Sequence, residues 1–298
     1  MRTPPKPAAA PDLRALARQT VVAAGFRVHL PPDAQAQLAA LDANPGDGAS
    51  DDAVRDLRDL LWISIDSAEA RDLDQVSTAE ALPGGATRIL VGIADVDASV
   101  PRHSALDRHA AANTTSIYAG IDTFHMLPEQ LATGRSSLLE GEDRLGLVVE
   151  FVVDADGALH SGTVYRALIR NRVRLDYDAT GAWLEGDAAA LPRVSEVAGL
   201  AEQIRIQDTA IRAARAWRER AGAIEIVRAE VQPVFEDGRV VDIVVVRPNR
   251  ARGLIEHLMV ATNSVAGAFL RTRQIPWIAR AQVPQDWQGI VELASAYG

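Results

Sequence analysis

The 298-residue sequence contains 48% apolar and 24% charged residues, a balance typical of folded soluble proteins and unlike that of disordered chains. It has no cysteine, which excludes disulfide bonds, thiolate metal sites and cysteine nucleophiles. The formal net charge of −9 argues against a surface coated in basic residues, although phosphate binding depends on where the arginines are placed and a local basic groove is compatible with this charge.

The first 50 residues are predicted to form a small helical or winged-helix-like element with a linker. Residues 1–10 are rich in proline and alanine and are predicted to be disordered. Apolar periodicity predicts helices over 11–26 and 32–43, and the segment "NPGDGASDD" that follows is typical of a linker.

No apolar run in the sequence approaches the roughly 20 residues that span a bilayer. The N-terminus also lacks the continuous apolar core of a secretory signal. We therefore expect a cytoplasmic protein without membrane contact.

Residues 51–298 are predicted to form a second domain of strands followed by helices. Four segments are typical of strands, namely "LLWISI", "TRILVGIADV", "RLGLVVEFVVD" and "HSGTVYRALIRNRVRLDY". The "DADG" and "EDGR" turns predict hairpins, and apolar periodicity predicts helices over 194–221 and 253–272. This order predicts an α+β fold with helices packed on a mixed, largely antiparallel sheet.

Three aspartates gather directly after the first predicted strand, in "ISIDSAEARDLDQV". Asp66 ends the strand, and Asp72 and Asp74 lie on the loop that leaves it. Several carboxylates converging in this way suit a hard divalent cation such as Mg²⁺, which prefers oxygen ligands. A solvated acidic loop explains the spacing about equally well, because such loops are common on protein surfaces.

Five segments between residues 54 and 272 follow one another along the chain, namely "IDSAEARDLDQV", "VGIADV", "NTTSIYAGIDTFHMLPEQLATGRSSL", "DRLGLVVEFVVDADG" and "RVRLDYDATGAWLEG". In sequence and in order they resemble the catalytic (RNB) domain of the ribonuclease II / ribonuclease R family of 3′→5′ exoribonucleases. The first segment is similar to the metal segment of that family, and the second to one of its strands.

The resemblance implies roles for individual residues. Asp66, Asp72 and Asp74 match three of the four acidic positions of the family that hold Mg²⁺ and activate water, and Gln75 matches the fourth. An amide oxygen coordinates without adding charge, so this departure puts two-metal catalysis in question. Tyr118 matches the tyrosine that stacks on the terminal base of the RNA.

Further substrate-binding residues are predicted around the bound RNA. Tyr177 matches a second aromatic position near the 3′ end, although a core or hairpin tyrosine is the simpler explanation. The alternate residues Arg170, Arg172 and Arg174 point the same way on a strand and are predicted either to track phosphates or to form a solvated strand face. Glu256 matches an acidic position close to the nucleotides, whereas a glutamate near a helix start has an ordinary structural explanation.

The resemblance implies a processive, Mg²⁺-dependent 3′→5′ exoribonuclease that degrades single-stranded RNA to nucleoside 5′-monophosphates. Members of the family carry OB-fold RNA-binding domains before and after the catalytic domain, and an arginine-bearing segment that completes the site lies beyond "VELASAYG". We therefore expect a C-terminally incomplete catalytic domain. A catalytically impaired RNA-binding relative is the alternative, and nothing in the sequence requires more than a monomer.

Overall fold

The computed structural model describes residues 12–43, 54–160, 162–224, 230–236, 238–279 and 287–297. The predicted disordered lead-in over residues 1–10 and the linker over residues 44–52 lie outside these ranges. The strands are β1 (Arg55–Asp56), β2 (Trp62–Asp66), β3 (Gln75–Ala81), β4 (Thr87–Ala94), β5 (Ile117–Tyr118), β6 (Thr123–Phe124), β7 (Asp143–Val153), β8 (Thr163–Asp176), β9 (Glu230–Glu236) and β10 (Arg239–Val246). The helices are α1 (Leu13–Ala23), α2 (Pro32–Ala43), α3 (Ala105–Asn113), α4 (Tyr177–Leu184), α5 (Arg193–Glu196), α6 (Leu200–Arg220), α7 (Arg250–Thr272) and α8 (Trp287–Tyr297).

The main sheet curls into a closed circuit because β8 is long enough to pair with two partners. Its first half, Thr163 to Arg170, runs antiparallel to β7, and its second half, Asn171 to Asp176, runs parallel to β2. The circuit is completed by β2–β3–β4–β7, all antiparallel. The predicted mixed, largely antiparallel sheet is confirmed, and the parallel pair places the end of β2 beside the end of β8.

Both faces of the sheet are covered, so β2 is buried on both sides for four residues. The face toward α4, α6 and α7 contributes isoleucines and valines to the largest apolar cluster. The opposite face packs Trp62, Val76 and Ile169 around the inside of the curl. A Cβ on Gly146 would come within 2.6 Å of the end of the Ile169 side chain, so a larger residue there would require this buried side chain to shift.

The strand β3 is not predicted from the sequence, because "QVSTAEA" lacks apolar alternation. Its polar groups are buried against α6, whose glutamines satisfy them. Ser77 Oγ donates to Gln207 Oε1 (2.6 Å), and the Gln203 side chain both accepts from the Ala79 N–H (2.9 Å) and donates to its carbonyl (2.6 Å). Hydrogen bonds from a distant helix therefore stabilise a strand that its local sequence does not indicate.

The two predicted hairpins are present as β7–β8 and β9–β10, with Asp237 of the second turn outside the described residues. The helix predicted over 194–221 is two helices, α5 and α6. Gly199, with φ of +79°, stands at the N-cap of α6 and separates them.

By length and composition the helix α7 could cross a membrane, a property not expected from the sequence. One third of its most apolar 18-residue stretch is buried. Its residues Leu254, Leu258 and Val265 pack into the largest apolar cluster, against the sheet and α6. A core helix passes the same test as a membrane span, and this packing is that of a core helix.

The N-terminal helices pack onto the segment between β4 and β7. Val21 of α1 and Phe26 contact Phe124 of β6, and the two rings meet edge to face with centroids 6.4 Å apart. The helix α2 packs against α3 and against Leu127 and Leu131. The division into domains at residue 50 stays a prediction.

Candidate active site

The three predicted aspartates are brought together at the end of β2. Asp66 is the last residue of that strand and is half-buried, while Asp72 and Asp74 flank the buried Leu73 on the segment that leads into β3. Burial raises the pKa of Asp66, and the charge of Asp72 raises it further. Protein atoms crowd the Asp74 carboxylate although its side chain keeps solvent access, so desolvation and then the charges of the other two aspartates raise its pKa as well.

The acidic segment is held in place by Ser137, which the sequence analysis did not single out as a site residue. Ser137 Oγ accepts a hydrogen bond from the Leu73 N–H (2.9 Å) and donates one to the Arg71 carbonyl (3.0 Å). The Leu138 N–H donates to the Leu73 carbonyl (2.8 Å). The segment is therefore fixed by groups more than 60 residues away in sequence, which explains why no local pattern reveals them.

Arg174 holds the beginning of the same segment. Its Nη2 donates to the carbonyls of Ala68 (2.6 Å) and Ala70 (2.7 Å). Its charge also lowers the pKa of Asp66 against the larger effect of burial. The contacts give Arg174 a role in positioning the carboxylates, and its predicted contact with phosphate stays a prediction.

Gln75 opens β3 and is buried, with 5% of its surface exposed. Its Nε2 donates to the Ile65 carbonyl (3.1 Å), while its Oε1 has no hydrogen-bond partner among the described residues. A buried amide oxygen without a donor is the kind of group that a cation or a bound water would satisfy.

The donor chemistry of these residues fits a hard divalent cation. The negative charges of Asp66 and Asp72 raise the pKa of Asp74, and a cation near these carboxylates would offset that repulsion. Within the ranges that the structure describes, no three acidic or histidine side chains are assembled as a metal cluster. Asp66, Asp72 and Asp74, with the free Gln75 oxygen, are the residues that would hold the ion.

Tyr118 lies at the β5–β6 hairpin with 66% of its surface exposed. Its hydroxyl donates to Asp72 Oδ2 (2.8 Å). Burial of the hydroxyl end, together with this hydrogen bond and the charge of Asp72, raises the pKa of Tyr118 to about 12. The phenol is thus a protonated donor that orients Asp72 while its ring stays open to solvent. Gly120, with φ of +77°, turns the hairpin where Phe235 of β9 packs closely.

Tyr177 is the first residue of α4, directly after Asp176, the β8 partner of Asp66. It is half-buried and packs against the largest apolar cluster, so it occupies a core position, as the simpler explanation expects, and does not lie in a hairpin. Burial first, and then the charge of Asp66, raises the pKa of Tyr177 to about 12. Both predicted tyrosines line one cavity of about 680 Å³. Ser67, Ala68 and Glu69 form part of its wall, and residues of β9 and β10 line it as well.

The same cavity contains Arg252, which no sequence pattern distinguishes from the other arginines of the chain. Its guanidinium lies 4.6 Å from the centre of the Tyr177 ring, and Arg252 Nε is buried without a partner in the described part of the chain. An ion pair of 3.6 Å joins it to the exposed Asp178. Its charge lowers the pKa of Asp66, so Arg252 acts electrostatically on the acidic site.

Arg170 and Arg172 share the half-buried face of β8 with Arg174, as predicted from alternation. Arg170 Nε donates to Asp143 Oδ1 (2.5 Å), and Arg172 donates to the Arg58 carbonyl (2.6 Å). Both guanidinium groups are thus engaged in contacts within the protein, and phosphate binding by them stays a prediction.

Glu256 is exposed in the second turn of α7, beyond the helix start. It lines a small separate cavity of about 120 Å³ with Arg215 and Arg218, and is not among the residues that line the tyrosine cavity. The structure therefore does not bring it together with the two tyrosines, and its predicted role remains untested.

Comparison with known proteins links this geometry to one family. The RNB domain family profile matches residues 54–297. Ribonuclease R of Thermotoga maritima is 33% identical over 240 residues, which is 80% of this chain and 33% of that protein. The chain therefore spans about a third of the length of this curated relative.

Solved structures show the same fold. Mycoplasma genitalium RNase R in complex with double-stranded RNA matches with a TM-score of 0.82 and 23% identity, covering 96% of this chain and 50% of that one. Yeast Ssd1, described as a pseudonuclease, matches with a TM-score of 0.57 and 16% identity, covering 77% of this chain and 28% of that one.

Proposed function

The chain belongs to the RNB-domain family of ribonucleases R and II, and from that membership we propose that it is a processive 3′→5′ exoribonuclease acting on single-stranded RNA. One observation carries the proposal: the two tyrosines line a single cavity, and Tyr118 also donates a hydrogen bond to Asp72 of the acidic segment. Aromatic rings stack on any base, which suits degradation without sequence preference.

In the proposed reaction, the 3′-terminal nucleotides enter the cavity and stack on Tyr118 and Tyr177. Water attacks the terminal phosphorus, the bond from phosphorus to the 3′ oxygen of the preceding nucleotide breaks, and that oxygen takes a proton. The products are a nucleoside 5′-monophosphate and an RNA shorter by one residue. Mg²⁺, when bound, would activate the water and stabilise the charge that develops on the phosphate.

The residues of the chain contribute orientation and charge. Asp66, Asp72 and Asp74 would supply the oxygen ligands, and Tyr118 holds one oxygen of Asp72 through its hydroxyl. Ser137 and Arg174 fix the backbone of the acidic segment, so the carboxylates lose little further freedom when substrate binds. A cytoplasmic location and a monomeric state belong to the proposal.

A second candidate function is RNA binding without catalysis. Two observations favour it, namely Gln75 at the fourth acidic position and the structural likeness to yeast Ssd1. An amide at this position brings no charge, so it would hold an ion less strongly than a carboxylate.

A time course on 5′-labelled single-stranded RNA, with Mg²⁺ and with EDTA, separates the two functions. The exonuclease gives a ladder that shortens from the 3′ end only with Mg²⁺, and Asp74→Asn abolishes it while RNA binding in EDTA stays within about twofold. Intact RNA that is shifted in a binding gel favours the non-catalytic function. Equal loss of cleavage and binding in Asp74→Asn contradicts the role assigned to that carboxylate.

A further inference from the structure

A second cavity, of about 390 Å³, lies between the N-terminal helices and the catalytic fold. Its volume is within the range that accommodates a nucleotide-sized ligand. Basic side chains from four segments line it: Arg18 from α1, Arg27 and His29 from the connection to α2, His109 from α3, and His125 after β6. None of these residues has a role in the proposed reaction.

His109 is buried in the cavity wall, with 5% of its surface exposed, and carries a donor without an acceptor. Asn113 Oδ1 accepts from the Arg27 N–H, and its Nδ2 donates to the Arg27 carbonyl, which fixes the orientation of the amide. The same Nδ2 lies 3.3 Å from His109 Nε2, so that ring nitrogen accepts. His109 Nδ1 therefore carries the proton, and it finds no partner among the described residues.

The charges around this donor favour an anion. Burial, and then the nearby charge of Arg27, lowers the pKa of His109, so the ring is a neutral donor at pH 7. Asp122, an acidic residue of the lining, forms an ion pair of 3.8 Å with Arg14, which lies outside the cavity and offsets the charge of Asp122. Glu129 is the other acidic residue of the lining, which also contains Arg18 and Arg27.

The two cavities lie on either side of one hairpin. Tyr118, Ala119 and Gly120 line the active-site cavity, while Asp122, Thr123 and Phe124 line the second. An RNA strand that extends from the two tyrosines across this hairpin would reach the second cavity.

We propose that this cavity binds a phosphate group of single-stranded RNA upstream of the 3′ end, with Arg18 and Arg27 as the cationic partners and His109 Nδ1 as a neutral donor. The proposal rests on the proposed function, because it assumes that RNA occupies the tyrosine cavity. A free nucleotide has the same phosphate chemistry, and the shared hairpin is the observation that favours a continuous strand.

The test measures binding of two 5′-labelled RNAs in EDTA, one of about 20 nucleotides and one of about 4 that fills only the tyrosine cavity. Both arginines are exposed, so the double variant Arg18→Ser/Arg27→Ser retains the fold, which a melting curve checks. We expect its affinity for the long RNA to fall about tenfold at low salt, while the short RNA binds as before. The plot of log affinity against log salt concentration for the long RNA should become shallower by the equivalent of one to two phosphate contacts. Arg102→Ser, an exposed arginine outside both cavities, is the matched control and leaves both affinities unchanged.

Other outcomes overturn the proposal. Unchanged affinity for the long RNA means that the cavity holds no strand, and equal weakening on both lengths means that it supports the active-site cavity only. Direct binding of a nucleoside 5′-monophosphate to a site that disappears in the double variant, with long-RNA affinity retained, identifies a free-nucleotide site. Absence of binding to either RNA by the unaltered chain refutes the proposed function instead.

Discussion

Tyr118 offers a direct test of the active site, because its ring and its hydroxyl have separate tasks. The ring is 66% exposed and free to stack on a base, whereas the hydroxyl donates to Asp72. Tyr118→Ala removes both functions, and Tyr118→Phe removes only the hydrogen bond.

The magnitudes follow from these contacts. Base stacking on an aromatic ring is worth about 1–3 kcal/mol, so Tyr118→Ala is expected to weaken binding of single-stranded RNA roughly 5- to 150-fold. A hydrogen bond to a charged acceptor contributes about 1.5–3 kcal/mol when buried, and less at this exposed site. Tyr118→Phe keeps the aromatic ring, so it should bind RNA within about twofold of the unaltered chain. The rate of its single-turnover cleavage step should fall, because Asp72 is no longer held by the hydroxyl.

Binding is measured by fluorescence anisotropy in EDTA and cleavage by single-turnover kinetics with Mg²⁺. Tyr165→Phe is the matched control, since Tyr165 donates to Glu150 (2.7 Å) in the sheet and also has a pKa raised to about 12. It should affect stability only. If Tyr118→Phe weakens RNA binding as much as Tyr118→Ala, stacking on this ring is refuted.

Three further substitutions test the acidic segment and the cavity. The raised pKa values of Asp66 and Asp74 mean that their ionised forms oppose folding. Stability therefore falls as pH rises from the unfolded-state pKa through the raised folded-state pKa. Asp74→Asn should increase the melting temperature at pH 7 in EDTA and remove the stabilisation by Mg²⁺. Arg252→Ala should weaken RNA binding about tenfold in a gel-shift assay, because it removes a cation from the cavity. Arg55→Ala is the control, since it removes a comparable cation–π contact with Tyr165 (3.7 Å) elsewhere and should leave RNA binding unchanged. Ser137→Ala leaves a backbone N–H of the acidic segment without its acceptor and should cost about 1–3 kcal/mol in urea unfolding.

Each of these expectations has a contrary result. A lower melting temperature for Asp74→Asn in EDTA would show that the carboxylate stabilises the fold, which contradicts the destabilisation expected from its raised pKa. Equal RNA affinities for Arg252→Ala and the unaltered chain would remove the arginine from the binding site. An unfolding free energy of Ser137→Ala within about 0.5 kcal/mol of the unaltered chain would mean that water replaces the serine hydroxyl.

Much of the candidate site was predictable because the family motifs are contiguous. Asp66, Asp72, Asp74 and Tyr118 lie in short segments whose residue types and order identify them. The hairpins were predictable for a similar reason, since turn residues between two apolar runs act locally. The strand β3 was not, because its polar residues are buried only by virtue of glutamines on α6.

By itself the sequence determined the α+β class and the family, and it predicted the acidic and aromatic residues of the candidate site, since each depends on local pattern or on ordered motifs. Only the tertiary structure decided which arginines remain available to a ligand. Arg170, Arg172 and Arg174 look alike in sequence, yet each donates to protein acceptors, whereas Arg252 lies over Tyr177 in the cavity, where it pairs with the exposed Asp178 and its buried Nε has no partner in the described structure. The physical reason is that an arginine is free or engaged according to acceptors far away in the chain, and those are brought near it only by folding.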